Sequence, residues 1–93
     1  MTRIIFTKQG GYTKSLPAVI VNGRSIFVSR ITSIYKVSGG RWAGVAGYSS
    51  FSIIGGRESG GGSREWLVSW DGVWNGWIST TSMKGCIELI ENC

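Results

Sequence analysis

Asn22-Gly23 stands between two runs rich in β-branched and aromatic residues, Ala18-Val19-Ile20-Val21 and Arg24-Ser25-Ile26-Phe27-Val28. Asn-Gly supplies both positive φ values of a type I′ turn, whose twist matches that of the strands it joins. A two-residue loop then fixes the register: Val19 opposite Ile26, Val21 opposite Arg24. Pro17 sits at the strand entrance, where its missing N–H does least harm. The chain is thus committed to antiparallel β structure early.

The same reading extends along the chain. Ile4-Ile5-Phe6 predicts a first strand, closed by a turn at Gln9-Gly10-Gly11. Ile31–Val37 predicts a further strand, ended by Ser38-Gly39-Gly40. Arg41–Tyr48 predicts a glycine-loosened strand, and Phe51–Ile54 a short one. In Glu65–Trp70 the alternation is strict, so Trp66, Val68 and Trp70 share one face. Asp71-Gly72 and Asn75-Gly76 mark a loop over 71–76 before a return strand, Trp77–Thr80. Trp77 is expected to pair across with the inward tryptophans.

Helical periodicity occurs over 82–91. Thr81 or Ser82 can cap this helix. Met83, Cys86, Ile87 and Ile90 form one apolar face, while Lys84, Glu88 and Glu91 look outward. Gly85 is expected to lie against the sheet, where a side chain would not fit. The predicted fold is a single mostly-β (α+β) domain over residues 1–93. It is an antiparallel sheet of about five to seven strands, sandwich-like or partly curled, with one C-terminal helix. Residues 55–64, Gly55-Gly56-Arg57-Glu58-Ser59-Gly60-Gly61-Gly62-Ser63-Arg64, read as a flexible Gly/Ser-rich loop.

Catalytic chemistry finds little to work with. The chain has no His, so Ser-His-Asp and Cys-His arrangements are absent. Its five acids do not form an evident pair, and Cys86 and Cys93 alone cannot complete a zinc tetrahedron. No catalytic residue, metal or other cofactor is expected. Cys86 and Cys93, seven residues apart, make a poor disulfide staple, and with an N-terminal apolar run too short for a leader or span they point to a reducing cytoplasm.

Binding has more support. Ten Lys and Arg against five acids give a net charge of +5, which favours an anionic partner or serves solubility. Trp74, between two turn dipeptides, is either an exposed anchor or folded back over the sheet edge. Arg57 and Arg64 flank the glycines of the 55–64 loop, where N–H groups and guanidinium forks can wrap an anion; neither the Walker spacing nor GxGxxG is met. Arg41-Trp42 with Tyr48 is a second aromatic–basic cluster, suited to stacking on nucleic acid, with a buried Trp42 as the alternative. The candidate partner-binding residues are therefore Trp74, Arg57, Arg64, Arg41, Trp42 and Tyr48.

Val21-Asn22-Gly23-Arg24-Ser25-Ile26-Phe27-Val28-Ser29-Arg30-Ile31-Thr32-Ser33-Ile34 is similar to the opening of short bacterial and phage proteins of the FlbD-like kind. Trp77–Met83 followed by Cys86–Ile90 resembles their closing strand and amphipathic helix. The two segments cover roughly a third of the chain, which departs from the pattern by a long insertion between Val37 and Glu65. No functional residue carries over. The compact build, the absent catalytic set and the Gly/Trp-rich middle resemble small phage-encoded anti-defence proteins of the anti-CRISPR type. That resemblance implies a stoichiometric inhibitor or adaptor of a host protein or nucleoprotein complex, acting in the host cytoplasm. A single-stranded nucleic-acid-binding module and a nucleotide-sequestering sponge are the alternatives. Both parities of several strands are apolar, which predicts a homodimer, or else a closed sandwich within one chain.

Overall fold

The computed structural model describes residues 4–10, 15–55 and 65–93. Strands β1 (Ile4–Gly10), β2 (Ser15–Val21) and β3 (Arg24–Phe27) form a three-stranded antiparallel sheet in that order. Strands β4 (Ile31–Ser38), β5 (Arg41–Ala46), β6 (Ser49–Gly55), β7 (Trp66–Trp70) and β8 (Ile78–Thr80) form a five-stranded antiparallel meander. Helix α1 (Met83–Asn92) closes the chain.

The Asn-Gly hairpin has the expected register, Val19 with Ile26 and Val21 with Arg24. Both turn residues have positive φ, 50° at Asn22 and 87° at Gly23, as the type I′ turn requires. The first strand runs further than expected: Gln9 and Gly10 pair with Leu16 and Ser15 instead of turning. Gly11 and the rest of that connection lie outside the described residues, as do residues 56–64 of the expected loop. Gly55 itself belongs to β6, paired with Trp66.

The mostly-β class with one C-terminal helix holds, and the described strands are divided between two antiparallel sheets. The division falls at Val28-Ser29-Arg30, and its cause lies 60 residues away in sequence. Oε1 of Glu91 accepts from the Ser29 N–H at 2.6 Å and the Ser29 hydroxyl at 3.2 Å. Oε2 accepts from the Arg30 and Ile31 N–H groups, both at 3.0 Å. Those backbone donors go to a carboxylate rather than to a strand ladder, so the chain leaves the small sheet and starts the large one. Glu91 therefore does not look outward.

In the large sheet, burial alternates residue by residue. Trp42, Gly44 and Ala46 of β5, Phe51, Ile53 and Gly55 of β6, and Trp66, Val68 and Trp70 of β7 all face inward. Met83, Cys86, Ile87 and Ile90 of α1 complete one core with Val19, Val21 and Val28 from the β2–β3 hairpin. Side chains of this size each contribute about 1.5–3 kcal/mol on burial. Two close approaches demand glycine. A Cβ on Gly55 would enter the Trp66 ring, and one on Gly44 would meet the Ser33 carbonyl and the Phe51 ring. Ser82 caps α1, its Oγ accepting from the Gly85 N–H at 3.0 Å. Gly85 lies against Thr80, whose Oγ1 would meet any added Cβ. Among the described residues no helix is long and apolar enough to cross a membrane.

Candidate functional site

A sheet with one buried face has a second face to account for. On β5, β6 and β7 the residues between the core positions point away from α1. Strand register gathers them into rows. Arg41, Ile54, Leu67 and Ser79 form one. Tyr35, Ala43, Ser52 and Ser69 form the next. Neither row contains an acid, and Arg41 carries their only charge.

Large side chains surround this flat surface. Tyr35 is 60% exposed, Val37 59% and Trp77 49%. A shallow cavity of about 190 Å³ lies between Val37, Arg41, Ala43, Ser52, Ile54 and Trp77. The Trp77 indole therefore reaches over the outer face of the sheet. A β-bulge between Lys36 and Ser38 interrupts the edge strand β4 beside Val37; bulges of this kind blunt a sheet edge against strand addition. The side chains, not the edge backbone, are the contact surface on offer.

The expected site residues distribute unevenly. Arg41 is exposed and on this face. Tyr48 is fully exposed in the β5–β6 turn. Trp42 is 4% exposed, its ring centroid 5.4 Å from that of Trp66 at an interplanar angle of 31°. It sits in the core, with Lys36 Nζ 6.0 Å from its centroid. Trp74 is half-buried and folded back, edge-on to Trp70 with centroids 5.9 Å apart. It borders a cavity of about 500 Å³ between β8 and α1 whose walls include Ile78, Leu89 and Glu88. Arg57 and Arg64 lie outside the described residues.

Trp77 is the residue that sequence reasoning misplaced. Ile78 pairs with Val68, so Trp77 falls on the opposite side from the inward tryptophans. The signal was its parity. Trp77 shares a face with Ser79, whereas Ile78 and Thr80 share the other, and the serine marks the open side.

Among the described residues no three His, Cys, Asp or Glu side chains gather as a metal site. Burial pushes the Cys86 thiol up to about 12, against a weaker opposing effect of its backbone hydrogen bond. That thiol is protonated and enclosed by the core at neutral pH. Comparison with known proteins finds no matching family model, no matching curated protein and no matching solved structure.

Proposed function

We propose that this protein works by binding, as a stoichiometric inhibitor or adaptor that presents the outer face of its five-stranded sheet to an acidic protein surface. The observation that carries the reading is exposed Tyr35 and Trp77 on or beside two rows in which Arg41 is the one charged side chain. Trp, Tyr and Arg are the side chains that dominate interface energetics, and a surface depleted in other charges costs little to desolvate. The net charge of +5 steers an acidic partner toward the chain.

A second copy of the chain fits this face less well. A twofold interface sets a patch against itself, and the only charge in these rows is positive. Stacking on single-stranded nucleic acid is also less well supported, because Trp42 is buried and Trp74 is held against Trp70. A phage anti-defence role is consistent with a small, non-catalytic binder and rests on the sequence resemblance alone.

Affinity capture with the tagged wild-type chain, beside Trp77→Ala and Arg41→Glu variants, tests the proposal. The expected result is one protein recovered in stoichiometric amount by the wild type and lost with either variant, while circular dichroism shows both variants folded. A partner retained equally by both variants, or recovery only of nucleic acid, overturns it.

A further inference from the structure

On the opposite side of the molecule, the turn of the β2–β3 hairpin stands over the start of α1. Between them is a cavity of about 480 Å³, lined by Val21, Asn22, Arg24, Ile26, Trp66, Ser82, Met83 and Lys84. That volume falls in the range of small-molecule sites, which combine apolar walls with a few polar groups. The walls divide by chemistry. Ile26 and the edges of Val21, Trp66 and Met83 are apolar and belong to the core cluster or pack against it. Arg24 from β3 and Lys84 from α1 are exposed and bring two cations from separate elements to the same cavity. Among the described residues the lining contains no carboxylate. Glu88 stands 3.7 Å from Lys84 Nζ in a solvent-exposed pair, an arrangement worth little in water and easily exchanged.

Apolar walls and two cations at one cavity suit a ligand with a planar body and an anionic head. We infer that this cavity is a binding site for a small nucleoside phosphate. The base enters between Ile26 and Met83 against the Trp66 edge, and the phosphate meets Arg24 and Lys84 at the mouth. Arg24 presents a planar fork that matches phosphate oxygens, and Lys84 adds a point charge. The site is independent of the protein-binding face, from which the large sheet separates it, so the failure of one leaves the other standing.

Two-dimensional amide NMR on the full chain provides the test, titrating the ribonucleoside monophosphates, the unphosphorylated nucleosides and inorganic phosphate separately. The expected result is saturable shifts at Asn22–Ile26 and Ser82–Lys84 with a nucleoside monophosphate, and at least about tenfold weaker binding of both the nucleoside and phosphate alone. Arg24→Ala and Lys84→Ala, both exposed substitutions, each weaken binding by about tenfold, the loss of one charge-assisted hydrogen bond. No saturable binding by any nucleotide, shifts that map to the outer sheet face, unchanged affinity in both variants, or phosphate binding as tightly as the nucleotide each overturns the inference. Retained thermal midpoints in the two variants exclude unfolding as the cause of any loss.

Discussion

Replacing Glu91 by Ala removes the carboxylate that holds the crossover between the two sheets. Three backbone N–H groups, of Ser29, Arg30 and Ile31, and the Ser29 hydroxyl lose their acceptor. Hydrogen bonds to charged groups contribute about 1.5–3 kcal/mol each in mutational series. Ser29 and Arg30 are exposed, so water replaces the carboxylate there at small net cost. Ile31 is buried, and its N–H carries most of the penalty. The expected loss is about 2–3 kcal/mol in total, or about 10–20 °C in thermal midpoint for a domain of this size. Glu91→Gln keeps the shape but aims an amide NH₂ at donors, so its loss is nearly as large. The control is Glu88→Ala, whose exposed partner Lys84 stands 3.7 Å away; its loss is about 0.5 kcal/mol or less. Urea denaturation followed by tryptophan fluorescence measures all three. A Glu91→Ala loss no larger than that of Glu88→Ala would refute the claim that this carboxylate fixes the division between the sheets.

Other outcomes follow from burial and close packing. Thiol titration of the native protein at neutral pH modifies Cys93 and spares Cys86, and denaturant exposes both. Because the folded Cys86 pKa is raised from 9.0 to about 12, its protonated form stabilises the fold fully below pH 9; that contribution declines across roughly pH 9–12, by about 1.4 kcal/mol per unit. A Cys86→Ala variant lacks this share of the alkaline slope, and chemical denaturation across the pH series reads the difference. Gly55→Ala drives a methyl group into the Trp66 ring and destabilises by about 1–3 kcal/mol in the same denaturation assay. Trp42→Ala costs about 3–5 kcal/mol by emptying the core, whereas the half-exposed Trp77→Ala costs at most about 1 kcal/mol; reversal of that order in thermal melts contradicts the assignment of faces.

Features set by neighbours in sequence were legible before the fold was known. The hairpin at Asn22-Gly23, the inward tryptophans at 66 and 70 and the α1 face of Met83, Cys86, Ile87 and Ile90 all follow from local periodicity and turn chemistry. The point at which the chain passes from one sheet to the other was not legible, because it depends on Glu91 reaching back to residues 29–31, a contact no local pattern announces. Trp74 lies in an irregular segment without a period to set its direction, and its packing on Trp70 is a tertiary choice. Arg41 was singled out for its charge and stands on the open face. Tyr35 was missed there because strand β4 carries irregular register at two points, which blurs its alternation.

Site-specific photo-crosslinking tests the binding face most directly. A photoreactive phenylalanine analogue replaces, in turn, Tyr35, Trp77 and, as a control on the far side, Lys84. The account predicts adducts from positions 35 and 77 to one acidic protein, with none from position 84. Adducts from position 84 alone, or a species of twice the 10.1 kDa chain mass from the sheet positions, would contradict it.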